Sequence, residues 1–235
     1  MFFIKIAEIV IAVDNKYKYV ERLCRDYIVS PISEPQLTVS VTDRQIDDEI
    51  SVSDRDVSRA YAEGICVYRN ICEVIPEKFG AFLMHCAVIE YEGDGYAFAA
   101  KSGTGKSTHI SLWQKRFGDS VRVINGDKPI MRFFQDRLYA YGTPWCGKEG
   151  LSENARAPIK GICFIERAKE NSVERISPAE ALPRIFQQIL TPNTDTAVDA
   201  LFPLIDRTLL EIPCYVLKCN ISEEAAEVAY EGMNK

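Results

Sequence analysis

An apolar segment at residues 96–100 runs directly into Lys101-Ser102-Gly103-Thr104-Gly105-Lys106-Ser107, and that loop runs into a helical stretch. Nothing else in the chain restricts its fold so strongly. Two glycines one residue apart let the backbone turn so that successive N–H groups face inward. A helix beginning at Lys106 adds its positive end at the same point. Such a cradle holds phosphate oxygens, with Lys106 reaching the β- and γ-phosphates and the Ser107 hydroxyl ligating magnesium. Ser102, Gly103, Thr104, Gly105, Lys106, Ser107 and Thr108 are the expected nucleotide contacts, with Ala100 standing where a first glycine is usual. A strand before the loop and a helix after it point to an α/β protein.

The remaining segments are read around that loop. Residues 4–13 read as a strand, 18–27 as a helix or extended crossover, and 36–42 as a strand with period-two alternation. Residues 43–56 carry Asp43, Asp47, Asp48, Glu49, Asp54 and Asp56, which suits a solvated hairpin or a linker. A helical period then runs from Val57 through Tyr61 and Ile65 to Cys72, and Pro76 is expected to end it. Residues 82–90 read as a strand, 91–95 as a hairpin turn and 96–100 as a second strand. After the loop a helix is expected up to Phe117, closed by Gly118. Strands are expected at 121–125, 130–134, 138–141, 159–165 and 213–219. Helices are expected at 178–190, 196–209 and 222–231, the last with Asn220 and Glu223 as a capping box. Residues 1–55 thus form a small N-terminal β-rich accessory region, and 56–235 a P-loop catalytic domain. Its hairpins depart from strict βαβ alternation, which implies a mixed β-sheet.

Composition excludes some partners. The 235 residues carry 28 Lys and Arg against 34 Asp and Glu, a formal net charge of -6. That balance argues against nonspecific nucleic-acid binding and against an anionic membrane surface. The apolar start at 1–13 is too short to span a bilayer and is interrupted by Lys5 and Glu8. Eight cysteines without a CxxC spacing, and only His85 and His109 to join them, read as reduced core residues of a cytoplasmic protein.

Asp127 follows the apolar strand at 121–125, about twenty residues beyond the loop, where a P-loop protein needs a carboxylate for its metal. Asn-Gly-Asp is also turn chemistry, and the residues alone allow either use. His85 lies in an apolar strand, where a histidine is ordinarily a core residue. His109 stands four residues before Trp113 and is expected to stack on it. Residues 142–148, with Trp145 and Lys148, suit a substrate-facing loop or a plain Pro/Gly turn.

Leu83-Met84-His85, a hairpin, SGTGKSTH at 102–109, Trp113, NGDKP at 125–129 and TPWCGK at 143–148 together resemble the HPr kinase/phosphorylase and phosphoenolpyruvate carboxykinase group. They resemble more closely the HPr-kinase-like proteins found beside bacterial peptide-modification and maturation systems. The likeness covers residues 57–230. It implies the mixed-sheet fold of that group and an ATP- and Mg2+-dependent kinase that transfers a phosphoryl group to a hydroxyl, a serine of a peptide or small protein. Free serine or a similar small molecule is the alternative acceptor, and a nucleotide-sensing module with degenerate catalysis is the alternative class. The resemblance implies catalytic roles for His85, Asp127 and Lys106, metal binding by Ser107 and Asp127, and, by analogy, a homo-oligomer. Two departures stand out. HPr kinases end this strand in two aspartates where Gly126-Asp127 stands here, and their glutamate-arginine-glycine stretch is absent between Trp145 and Ile159. Activity on HPr itself, and the reverse reaction, are therefore not expected.

Overall fold

The apolar run at the start of the chain folds back on itself. Ala7 and Glu8 both take positive φ, 51° and 60°, the two-residue turn whose twist matches that of paired strands. The single strand expected over 4–13 is therefore an antiparallel hairpin of β1 (Phe2–Ile6) and β2 (Ile9–Asp14). The computed structural model describes residues 1–31 and 34–234. Helix α1 (Lys18–Leu23) leads towards β3 (Leu37–Ser40), which pairs parallel with β2. Residues 43–56 are neither hairpin nor plain linker, because α2 (Asp43–Ser51) occupies most of them. Thr42 and Gln45 close a reciprocal capping box, and Ile46 buries the inner face. The acidic run is the helix's solvated face, with Asp43 and Asp47 paired to Arg59. Helix α3 (Arg59–Phe79) continues through Pro76, the expected stop, to Gly80 at φ 59°. Burial of Ile71, Cys72 and Ile75 along that last stretch favours helix over the cost of the missing N–H.

A second correction bears directly on the site. The strand expected over 82–90 breaks at Met84-His85 into β4 (Ala81–Leu83) and β5 (Cys86–Tyr91). Next come β6 (Asp94–Ala99), α4 (Lys106–Phe117), β7 (Arg122–Asn125) and the hairpin of β8 (Ile130–Phe134) and β9 (Arg137–Tyr141). Strand β10 (Arg156–Arg167) runs longer at both ends than expected, and the sequence reading missed β11 (Ser172–Ile176). Helices α5 (Pro178–Phe186) and α6 (Asp195–Glu211) precede β12 (Cys214–Cys219) and α7 (Glu224–Met233). The Asn220–Glu223 box does not form. Asn220 instead accepts from the backbone and hydroxyl of Ser222, a local turn.

Nine of these strands form one mixed sheet, ordered β4-β8-β9-β10-β6-β5-β7, with β12 between β10 and β11. Strand β10 joins two regions. Residues 156–158 pair antiparallel with β9, and the remainder lies parallel between β6 and β12. The central strands are apolar on both faces, as strands covered on two sides must be. In β6, Tyr96 and Phe98 pack on the face covered by α4 and α7, while Ala97 and Ala99 pack beneath α5 and α6. The fold is mixed α/β. A third core joins the small sheet to α3, Leu83, Ile130, Tyr141 and Trp145, so apolar packing runs across residue 55. All eight cysteines are unpaired, and all but Cys146 are buried. Among the described residues no helix is long and apolar enough to cross a membrane.

Candidate active site

Sheet topology brings three distant segments to one edge. The glycine loop leaves the C-terminal end of β6. Strand β5 runs antiparallel to β6, so its first residue, Cys86, lies opposite Ala99 and puts His85 beside the loop. Strand β7 pairs antiparallel with β5, Asn125 opposite Val88, and so ends at the same edge with Asp127 just beyond it. His85 is fixed in the break between β4 and β5, where its N–H donates to Gln188 O at 2.6 Å. The Gln188 amide, with its nitrogen towards them, donates to the carbonyls of His85 (3.1 Å) and Ala100 (3.3 Å).

Positive φ at Gly103 (77°) and Gly105 (131°) gives the loop a path that a side chain would oppose. Gly105 is the N-cap of α4 and contributes no side chain to it, which leaves the first N–H groups free for an anion. Arg167, at the end of β10, donates to the carbonyls of Thr104 (2.9 Å) and Gly103. Because peptide N–H and C=O point oppositely, this turns the amides of Thr104 and Gly105 away from Arg167.

At the centre, Lys106 Nζ lies 2.9 Å from His85 Nε2 and 3.3 Å from Ala100 O, and His85 Nε2 lies 3.0 Å from Asp127 Oδ1. One ring nitrogen cannot accept from the ammonium and donate to the carboxylate at once, so Nε2 serves either Lys106 or Asp127 according to its tautomer. Burial lowers the Lys106 pKa, opposed by the Asp127 carboxylate. For Asp127 burial pushes upward, but hydrogen bonds from His85 and Lys128 outweigh it and hold the carboxyl well below the usual range. Asn125, wholly buried, fixes the turn by accepting from the N–H groups of Asp127 (2.8 Å) and Lys128 (2.7 Å). Its amide donates to Thr143 O at 3.0 Å, tying the strand end to the 142–150 loop.

His85, Ser102, Gly103, Gly105, Lys106, Ser107, Thr108, Asp127 and Lys148 line one cleft of about 560 Å3, together with Arg55, Gly126, Gly147 and Glu149. Thr104 faces two neighbouring clefts on the loop's other flank. Trp145 does not line the cleft. The sequence allowed it a place in a substrate-facing loop, but it is buried, donates to Gly64 O (2.9 Å) and packs on Tyr68. His109 does meet Trp113, though as the acceptor of its indole N–H (3.0 Å), the two rings inclined at 75°. Sequence reasoning missed Arg55, Asn125, Arg167 and Gln188. Only Asn125 gave a local signal, the Asn-Gly-Asp turn.

Ser107 and Asp127 supply a hydroxyl and an ionised carboxylate, the hard oxygen donors that magnesium takes one or two at a time beside phosphate and water. The cleft's residues therefore fit that ion. No protein-family model matches the chain, and no curated protein matches it. Among solved structures it is similar to the Hpr(Ser) kinase/phosphatase from Coxiella burnetii, with a TM-score of 0.36 and 7% identity over 65% of this chain and 92% of that one. So distant a likeness leaves the chemistry of the cleft to be judged from its own residues.

Proposed function

We propose that this chain is an ATP- and magnesium-dependent phosphotransferase acting on a hydroxyl, a serine of a peptide or small protein from a peptide-modification system. The observation that carries the reading is the line Lys106–His85–Asp127, within hydrogen-bond reach at the mouth of a glycine loop and a helix N-terminus. Phosphoryl transfer needs little covalent work from protein groups. It needs positioning, positive charge at the γ-phosphoryl and a carboxylate to orient the acceptor. In the step proposed, the acceptor oxygen bonds to the γ-phosphorus and its proton passes to Asp127. The bond from that phosphorus to the β-bridging oxygen breaks, and ADP leaves with the electron pair. Lys106 and the amides of the loop bind the phosphates, and His85 holds both Lys106 and Asp127. Ser107 and Asp127 would hold magnesium, which supplies charge neutralisation between the β- and γ-phosphates. A weak base such as Asp127 suits a loose transition state in which the proton leaves late. The cleft of about 420 Å3 on the loop's other flank, walled by Leu112, Ile165 and Ile221, suits the nucleoside. Unpaired thiols favour a reducing, cytoplasmic setting.

The test is incubation with γ-labelled ATP, magnesium and candidate peptides. Label should reach a peptide hydroxyl; Lys106→Ala should abolish transfer, and Asp127→Asn should slow it by about 10²–10⁴-fold as expected for a lost base. Saturable transfer to free serine with none to peptides would replace the acceptor class.

One observation favours a second reading, a nucleotide-dependent binding module. Only one carboxylate stands at the strand end. At Gly126 a Cβ would meet Cys146 O at 3.2 Å and Leu151 O at 3.4 Å, so backbone fills the space of a second one. ATP binding that Lys106→Ala weakens, without transfer to any acceptor, would establish this reading.

A further inference from the structure

Of the residues lining the catalytic cleft, Arg55 stands furthest in sequence from the phosphate loop and from the strand ends around it. It belongs to the connection 52–58 between α2 and α3, within the acidic stretch. Both ends of this connection are fixed. Ahead of it, Arg59 binds Asp43 and Asp47, Arg69 binds Glu49, and Cys66 Sγ donates to Gln45 O at 3.4 Å, clamping α2 to α3. Behind it, the Ser58 hydroxyl caps α3 by accepting from Tyr61 N at 3.2 Å. The Arg55 N–H reaches Ser53 Oγ at 3.4 Å in a local turn. The guanidinium has no carboxylate within 4.0 Å among the described residues, although Asp54 and Asp56 flank it in the chain and Glu149 lines the same cleft. Arg22, Arg137 and Arg175 also lack a carboxylate within 4.0 Å among the described residues, so what sets the exposed Arg55 apart is its place on this cleft. An arginine held at a phosphate cleft without a protein partner is a donor reserved for a ligand oxyanion.

We propose that Arg55 is a further catalytic residue, a cation from the N-terminal region that contacts the transferring phosphoryl group across the cleft from Lys106. This rests on the phosphotransferase reading. As the γ-phosphoryl passes from the β-bridging oxygen to the acceptor hydroxyl, its equatorial oxygens carry the charge, and a planar guanidinium pairs with two of them at once. Lys106 reaches the phosphates from the loop side, and Arg55 closes the opposite side. The N-terminal region thus belongs to the reacting centre.

The test uses the full chain with ADP alone, with ADP plus aluminium fluoride as a mimic of the transferring group, and in steady-state ADP formation from ATP with a candidate peptide as acceptor. Wild-type protein should bind ADP more tightly with aluminium fluoride. Arg55→Ala should keep its ADP affinity, lose that gain, and lower kcat about 10²-fold or more, as removal of one preorganised donor does. Arg55→Lys should recover part of both, and Asp54→Asn should leave both unchanged. If Arg55→Ala retains the aluminium fluoride gain and the wild-type kcat, the assignment of Arg55 is wrong while the phosphotransferase reading stands. If wild-type protein binds no ADP, or binds it no more tightly with aluminium fluoride, both readings fall. A rise in acceptor KM at unchanged kcat would make Arg55 an acceptor-docking residue and overturn its place at the phosphoryl group.

Discussion

A buried residue of the loop helix and a half-buried one at the strand edge show how a single position meets opposed demands. His109 accepts the Trp113 indole N–H through Nε2, and its Nδ1, which then carries the proton, is buried without a partner. Burial pushes its pKa down to about 3 from 6.5. The folded protein therefore binds fewer protons at this site than the unfolded chain between those values. Stability from His109 is intact above pH 6.5 and falls as pH drops towards 3, by up to about 1.4 kcal/mol per pH unit. His109→Gln, which keeps an acceptor for Trp113 without titrating, should flatten the fall in melting temperature between pH 6 and 4. An unchanged slope would assign the acid sensitivity to other groups. Gly126 meets the opposite kind of demand. It admits the 146–151 loop so closely that Gly126→Asp, which restores the paired aspartates of HPr kinases, should destabilise by about 1–3 kcal/mol in denaturant unfolding without raising activity.

Among the elements, the antiparallel insertion of β5 between β6 and β7 decides most. A parallel strand in that place would start at the far edge of the sheet and leave His85 remote from the loop. The break at Met84-His85 is needed as well, since β4 pairs with β8 while β5 pairs with β6 and β7. No local propensity signals such a break, because residues 81–89 are apolar throughout except His85. Helix α2 was hidden for a different reason. Its polar face dominates its composition, and its one wholly buried residue, Ile46, gives little periodicity. The Thr42–Gln45 pair was the readable cue. Thr42→Ala should cost about 1 kcal/mol of stability and, if α2 positions Arg55, should lower kcat as well.

Across the whole molecule, the N-terminal region and the site form one network. Tyr27 Oη meets Ser152 Oγ at 2.9 Å, Asn125 Nδ2 donates to Ser152 Oγ at 3.3 Å, and Asn125 fixes the Asp127 turn. Trp145 meanwhile ties the 142–150 loop to α3 through Gly64. Tyr27→Phe should cost about 1 kcal/mol, the net value of one buried hydrogen bond. Deleting residues 1–55 would strip the small sheet from a core that it shares with α3 and Trp145. The truncated chain should lose cooperative unfolding by circular dichroism, and retention of a sharp transition would show that the remainder folds alone.

The sequence by itself determined the glycine loop, the strand before it and the helix after it, because glycine spacing and a helix start act over a few residues and need no distant partner. It also named Lys106, His85 and Asp127, the last two as candidates whose ordinary uses were open. Tertiary structure alone decided that His85 stands 2.9 Å from Lys106 and 3.0 Å from Asp127, since their proximity depends on strand order and direction. It decided as well that Trp145 supports the site from a buried position, that Arg167 comes to the loop from 60 residues after it, and that Arg55 comes to the adjoining cleft from 46 before it. Contacts of that span leave no local trace, because each residue's own neighbours are equally compatible with an ordinary solvated arginine.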